Sequence, residues 1–457
     1  MFIATNPTTG EELHRYPMHQ HDELQPIIAS AADTYSHWRK TSFAERATLL
    51  NKVANYMRDN IESLAQLMTV EMGKPINEAR GEVEKSAWCA EHYAQHGEEY
   101  LASQALSSDA SHSYVQHLPL GTILGILPWN APFWLAFRFC APAIMAGNTC
   151  LMKHDSHVPA CAEAIADVFL KVGAPEGLLQ NIRVDRHQVA ELLKDDTVQA
   201  VSLTGSSAAG SQVASQAAKQ IKHAVLELGG SDPSLVLSDA DIASAAAVLA
   251  LSRIINSGQS CIAAKRIIVE APVYDTFIEK FKQHLDILKM GDPAQESTQI
   301  GPIAREDLRE NLHRQVSSSI EQGARCLLGG ELPEGPGYFY PVTLLVDVTP
   351  DMQASCEETF GPIAVVMKAD SAEHALNIAN DTPYGLAASI WTSDVALAET
   401  MSRDIEAGQV AINGIVKTDP RLPSGGIKRS GFGRELGPHG IKEFVNVQQV
   451  WVGPKKN

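Results

Sequence analysis

TCLMKH at 149–154, LQNIRV at 179–184, AVSLTG at 200–205, AVLELGG at 224–230 and SLVLSD at 234–239 are short apolar runs with helix-like sequence between most of them. Runs of this length suit strands buried on both faces, and their alternation with helices predicts parallel pairing through crossover helices. The expectation is an α/β fold with a doubly wound sheet. A second series follows: RIIVE at 266–270, helices over 272–289 and 304–323, then RCLLGG, IAVVMKA, AASIWTS and QVAINGI, which predicts a second doubly wound α/β unit. Upstream, apolar residues recur at three and four in TLLNKVANYMRDNIESLAQLMTVEM, and Gly73-Lys74-Pro75 stops that pattern, so 22–100 reads as covering helices. SYVQHLPLGTILGIL at 113–127 alternates and then turns continuously apolar, an exposed strand leading into a buried one; KEFVNVQQVWVG at 442–453 alternates as a strand that pairs outside its own domain.

With 457 residues, 44% hydrophobic and 20% charged, the chain has material for large cores and two or three domains. Its seven cysteines form no CxxC pair, which argues against structural zinc and a disulfide framework and fits a reducing cytoplasm. MFIATNPTTGEELHRY lacks the basic and apolar regions of a secretory signal. The most apolar stretch, 121–150, is broken by Pro128, Asn130, Pro132, Arg138 and Pro142, which excludes a bilayer span. With 37 Lys+Arg against 54 Asp+Glu, the formal net charge of -17 disfavours nucleic acid. It leaves room for a small anionic substrate, because arginines in a pocket act within a Debye length of about 8–10 Å.

Four residues stand out chemically. Cys261, in NSGQSCIAAKR, follows small residues and precedes helix-like sequence, so a helix start would favour its thiolate; the alternative is a buried structural cysteine. Glu227 ends an apolar strand beside Gly229-Gly230, where desolvation raises a carboxylate toward general-base range; an exposed turn glutamate is the alternative. Asn130, between Pro128 and Pro132, offers a rigid amide to a developing oxyanion, or caps a helix. Arg138 lies two turns on and about 80° around the same helix, so both can face one cavity. Among FWLAF and FCAPAI it needs an anionic partner, from the protein or from a substrate.

Gly205 to Gly210 has P-loop glycine spacing, but Ser211-Gln212 follows where Lys and Ser/Thr are required; a phosphate can still rest at that helix start on Ser206. Gly431-Phe-Gly433-Arg-Glu-Leu-Gly437 follows no clear strand and reads as a structural turn. His154 and His157 lack a third ligand, so no metal site is expected.

In this order PWN (128–130), LMK (151–153), LTGS (203–206), LELGG (226–230), GQSC (258–261), EETFGP (357–362) and GGIKRSGFGRE (425–435) resemble the aldehyde dehydrogenase superfamily across nearly the whole chain. The chain looks most like the succinate-semialdehyde dehydrogenases, in their short bacterial branch whose cofactor loop begins Lys-His. The resemblance implies an aldehyde dehydrogenase-like fold of two α/β domains plus a small β oligomerisation extension. It implies Cys261 as nucleophile, Asn130 and the Cys261 N–H as oxyanion donors, and Glu227 as activator of the hydrolytic water. It assigns Lys153 to the adenosine ribose, Gly205 and Ser206 to the pyrophosphate, Glu358 and Phe360 to the nicotinamide end, and Trp129 and Leu228 to the cofactor cleft.

Two departures bear on specificity. Ser156 stands where many NAD-specific members carry a ribose-binding glutamate, so NAD or NADP is admissible, with Lys153, His154 and His157 available to a 2′-phosphate. Arg138 matches an arginine that binds the substrate carboxylate in succinate-semialdehyde dehydrogenases, while a second such arginine is replaced by Ile255 and the phenylalanine of PFGG by Ser424. Arg253, Lys417 and Arg421 are candidates to compensate. Ala263 occupies the site of a second cysteine that permits a regulatory disulfide, so no such switch is expected.

The reading is therefore NAD(P)-dependent oxidation of an aldehyde to an acid, with succinate semialdehyde preferred over another short aliphatic aldehyde. A CoA-acylating relative would generally lack Glu227, and a non-catalytic binding protein would not need Cys261, Glu227 and Asn130 together. The expected organisation is a dinucleotide-binding domain (1–105 and 121–230), a catalytic domain (231–440) and oligomerisation strands (106–120 and 441–457) suited to cross-subunit pairing in a homodimer or homotetramer.

Overall fold

A computed structural model describes residues 1–453. The chain opens with an antiparallel pair, β1 (Phe2–Thr5) and β2 (Glu12–Tyr16), and four helices, α1 (His21–Trp38), α2 (Phe43–Asp59), α3 (Ile61–Met72) and α4 (Ile76–Tyr100). Gly73 ends α3 at φ 77, the left-handed conformation a helix C-terminus favours. The short β3 (Gln104–Ala105) and β4 (His112–Pro119) follow, then β5 (Thr122–Leu127), α5 (Pro132–Ala146), β6 (Thr149–His154), α6 (Pro159–Lys171), β7 (Leu179–Asn181), α7 (Arg186–Leu192), β8 (Val198–Thr204), α8 (Ser207–Lys219) and β9 (His223–Glu227).

These strands form the first large sheet in the order β9-β8-β5-β6-β7, all parallel. The order reverses at β5, which lies between β6 and β8, so the loops after β5 and β8 diverge there. In open α/β sheets that crevice, at the carboxyl ends of the strands, is where ligands bind. Helix α5 is buried along its whole length against this sheet and α4, which its apolar sequence on every face requires.

SLVLSD does not continue this sheet. Its strand β10 (Pro233–Val236) starts six residues after Glu227, too few for a parallel crossover, and the chain passes instead into a second sheet. That sheet collects α9 (Ile242–Ile254), β11 (Arg266–Glu270), α10 (Tyr274–Asp286), α11 (Glu306–Glu321), β12 (Arg325–Leu328), β13 (Thr343–Val346), the one-turn α12 (Gln353–Cys356), β14 (Ile363–Ala369), α13 (Ala372–Asn380), β15 (Ala387–Trp391), α14 (Val395–Asp404) and β16 (Gln409–Ile412). Its order is β12-β13-β14-β11-β10-β15-β16, parallel except at β12. β13 falls between expected strands and was not itself expected.

The chain then returns to the first sheet, where β17 (Gly431–Phe432) pairs antiparallel with β9. The glycine-rich segment read as a turn is thus a sheet edge, and the boundary at 440 does not follow the sheets. The last strand, β18 (Val445–Val452), pairs antiparallel with β4 over its whole length, making a three-stranded sheet with β3. SYVQHLPL and the tail therefore meet each other within one chain, outside both large sheets; β18 keeps one open edge, and residues 454–457 of the expected tail lie outside the described residues. Among the described residues no helix is long and apolar enough to cross a membrane.

Candidate active site

Cys261 lies in a turn between α9 and β11, not at a helix start. Without a helix dipole, burial dominates and pushes its thiol up to about 11, with Lys265 and then Arg138 opposing. Its approach segment is held in an unusual shape. Asn256 and Ser257 take φ 58 and 54, and Gly258 takes φ 75, where a Cβ would stand 2.3 Å from the Gly361 carbonyl oxygen. Non-glycine residues persist in this region only when their surroundings over-determine them. The Asn256 amide N–H donates to Glu78 (2.6 Å), its Nδ2 donates to the Asn130 carbonyl (2.7 Å), and Arg253 donates to the carbonyls of Gly258 (2.6 Å) and Gly361 (2.7 Å). Arg253, fully buried, is thus committed to the backbone and not to the pocket. Lys265, also fully buried, donates to the carbonyls of Ser260 and Cys261.

Glu227 ends β9, 4% exposed. Burial raises its carboxyl to about 7 against the pull of Arg138, whose Nη2 lies 3.1 Å from Oε2. Its Oε1 has no hydrogen-bond partner among the described residues, and a Cβ on Gly425 would come within 2.7 Å of it. The same Arg138 nitrogen lies 2.5 Å from Glu435, so one guanidinium serves two buried carboxylates. The anionic partner that Arg138 requires is supplied first by the protein. Glu435 escaped the sequence reading because it sits in the segment set aside as a turn. Ser424, 2% exposed, pairs with Glu435 through both backbone groups and is not among the residues lining the main cavity.

That cavity, about 420 Å³, is lined by Asn130, Arg138 and Cys261 together, with Trp134, Ile255, Gln259, Lys85, Lys417 and Thr418. Asn130 precedes α5, but the cap position is Ala131, and Nδ2 of Asn130 donates to the Gln259 carbonyl at 3.1 Å. An amide carries two hydrogens, so one remains for an oxygen in the cavity. The α5 N-terminus is instead capped from α4: Glu82 Oε1 accepts from the N–H groups of Phe133 (3.0 Å) and Trp134 (3.1 Å), while Oε2 binds Lys74. Nothing in the local sequence near 130 announces this contact with residue 82.

The switch-point crevice carries the other candidates. Trp129 follows β5 and packs edge-on against Phe360, ring centroids 5.7 Å apart. Gly205 and Ser206 join β8 to α8, where Ser206 is the exposed N-cap, and Leu228 fills the space left by Gly210. Glu358 accepts from the Gly230 N–H at 3.1 Å, and a Cβ on Gly229 would lie 2.3 Å from its Oε2. Lys153, at the end of β6, is half-buried, and burial lowers its pKa. It makes no ion pair among the described residues, and Ser156 beyond it is exposed. A helix N-terminus, an unpaired lysine and glycine-made clearance fit a dinucleotide. His154 is 1% exposed, hydrogen-bonded to Pro132 O and Asp155 N, and held near pKa 4 by burial, so its ring is neutral and both nitrogens are already partnered. No metal cluster occurs among the described residues.

A profile of the aldehyde dehydrogenase family matches residues 2–450. The chain is 48% identical over 453 residues to a probable succinate-semialdehyde dehydrogenase [NADP(+)] of Synechocystis sp., covering 99% of this chain and 100% of that one. It is 45% identical over 449 residues to a succinate semialdehyde dehydrogenase [NAD(P)+] of Escherichia coli, covering 98% and 97%. The crystal structure of succinic semialdehyde dehydrogenase from Streptococcus pyogenes, in complex with NADP+ as the cofactor, superposes at TM-score 0.97 with 35% identity over 99% of this chain and 100% of that one. With sequence and fold in agreement over essentially the full length, the chain belongs to the aldehyde dehydrogenase family.

Proposed function

We propose that this enzyme oxidises succinate semialdehyde to succinate with NAD or NADP, on Cys261. The observation that carries the reading is the meeting of Cys261, Asn130 and Arg138 on one cavity, with Glu227 ion-paired to Arg138. The aldehyde carbon is attacked by Cys261 Sγ, and the oxygen that becomes negative is received by Asn130 Nδ2 and the Cys261 N–H. Because burial keeps the Cys261 thiol protonated near pH 7, attack requires a base, and Glu227, raised to about 7, is matched to that role. A bound nicotinamide supplies a hydride acceptor. Loss of hydride from the thiohemiacetal leaves a thioester on Cys261, and Glu227 then takes a proton from the water that hydrolyses it.

Lys153, Gly205, Ser206, Glu358 and Phe360 hold the dinucleotide, with Trp129 and Leu228 lining its cleft; the absence of a carboxylate at Ser156 admits a 2′-phosphate. The relatives named for NADP+ support that choice. Arg138 contributes positive potential at the cavity wall, and Ser424 acts only through Glu435. The region up to Glu227 works as dinucleotide-binding domain and the second sheet as catalytic domain. The open β18 edge supports a homodimer or homotetramer, and the seven free cysteines support a cytoplasmic setting.

The test is initial rates of reduced-nicotinamide formation with succinate semialdehyde, a neutral aldehyde of similar length and a cationic amino-aldehyde, each with NAD and NADP. A large kcat/KM advantage for succinate semialdehyde is expected. Equal or better rates with the other aldehydes would overturn the substrate assignment while keeping the chemistry.

A further inference from the structure

Arg138 lines the cavity with its Nε unpartnered among the described residues, but two buried carboxylates already draw on its charge. It is 3% exposed and already shared between Glu227 and Glu435, so a substrate carboxylate there would add a third negative charge to one guanidinium. The cavity wall carries three other cations: Lys74, Lys85 and Lys417. Lys74 is bound to Glu82 with both side chains buried. Lys417 is exposed, in a loop, and forms no ion pair among the described residues, so water and salt weaken its attraction.

Lys85, in the third turn of α4, is half-buried and forms no ion pair among the described residues. Its Nζ donates to Thr418 Oγ1 at 2.8 Å and lies 4.2 Å from the Trp134 ring centroid. An ammonium has three hydrogens, and this arrangement fixes its position while leaving donors over. A partly desolvated cation without a carboxylate, on the wall of the cavity that holds the nucleophile, is a site awaiting an anion.

We propose that Lys85 binds the distal carboxylate of the aldehyde substrate, with Thr418 and Trp134 positioning its ammonium. The assignment rests on the ω-carboxylated substrate proposed above and names the residue that selects it. Burial, then Arg138 on α5, brings Lys85 down to about 8, against the attraction of Glu82 and Asp419. Together with Lys417 on the loop beside Thr418, these are the charged groups facing it. Below about pH 8 the free enzyme carries the charge, and above it the charge is lost.

The experiment compares succinate semialdehyde with butanal in the wild type, Lys85→Gln and Lys85→Arg, reading the ratio of their kcat/KM values from pH 6.5 to 9.5. Groups used in the chemistry of both aldehydes, Cys261 and Glu227, cancel in that ratio. Lys85→Gln should lower it about ten- to a hundredfold, the worth of a charge-assisted hydrogen bond, through KM for the carboxylated aldehyde. Lys85→Arg should restore most of it, and the wild-type ratio should fall above about pH 8 while the Lys85→Arg ratio stays flat. A wild-type preference that Lys85→Gln retains overturns the Lys85 assignment alone. A wild type without preference for succinate semialdehyde overturns the substrate reading and this assignment with it. Should Lys85→Gln fail to fold, the wild-type and Lys85→Arg pH series still decide, since a flat wild-type ratio refutes the proposal.

Discussion

Replacing Arg138 by Met removes one guanidinium from between two buried carboxylates, Glu227 and Glu435, with side chains 5% and 4% exposed. Burial has already raised Glu227 from 4.5 to about 7, with Arg138 the leading restraint and Glu435 adding to the rise. A hydrogen bond to a charged group is worth about 1.5–3 kcal/mol, which moves the carboxyl roughly one to two pH units higher. At pH 7 the ionised fraction then drops from about half to roughly 1–10%, so a hydrolytic step using Glu227 as base slows by about 5- to 50-fold. The rate should recover as pH rises toward 9. Stopped-flow measurement of reduced nicotinamide follows both uses of Glu227: in the variant at pH 7 the first turnover and the steady state should both be slowed, and both should recover as pH rises.

Stability should change in the same sense. A carboxyl whose folded pKa is raised makes the folded protein hold a proton the unfolded chain has released, so stability falls as pH climbs from about 4.5 to about 7 in the wild type. In Arg138→Met that window extends upward, and the variant should be about 1.5–3 kcal/mol further destabilised at pH 9 than at pH 6. A uniformly lowered rate with an unmoved pH profile, or an equal penalty at both pH values, would refute the idea that Arg138 tunes Glu227.

Cys261→Ala should abolish turnover while dinucleotide binding, followed by fluorescence titration, persists; in the unliganded wild type, alkylation of Cys261 should quicken about tenfold per pH unit from 7 to 10, because the thiol is pushed up to about 11. Ser156→Glu should shift kcat/KM toward NAD over NADP by about ten- to a hundredfold, a carboxylate near Lys153 repelling a 2′-phosphate. Glu82→Gln turns an amide toward Lys74 and strips that buried ammonium of its paired carboxylate, at a cost of about 3–5 kcal/mol. A lowered unfolding midpoint in urea checks this, and an unchanged midpoint would remove Glu82 from the support of α5.

Local pattern reached most strands and helices because burial on both faces leaves an apolar signature in the chain: RIIVE is β11 residue for residue, and TCLMKH is β6. It stumbled where partners are distant. SLVLSD looks like its predecessors but enters another sheet, since membership depends on connection length and pairing. A helix start was expected at Cys261, and the chain instead makes a turn into β11, stabilised by Lys265 and by contacts from Glu78 and Asn130 that no local window contains.

The amino-acid sequence by itself determined the α/β class, the family motifs and the residues proposed for the chemistry, Cys261, Glu227 and Asn130, because each is written in a short stretch. Only the tertiary structure decided how their charges are balanced. Arg138 meets Glu227 across 89 residues, and Glu82 caps α5 from 51 residues before Phe133. Lys85 meets Thr418 across 333. Electrostatic interaction depends on distance and desolvation in space, so only folding settles which of these charges are already paired and which remains open to a substrate.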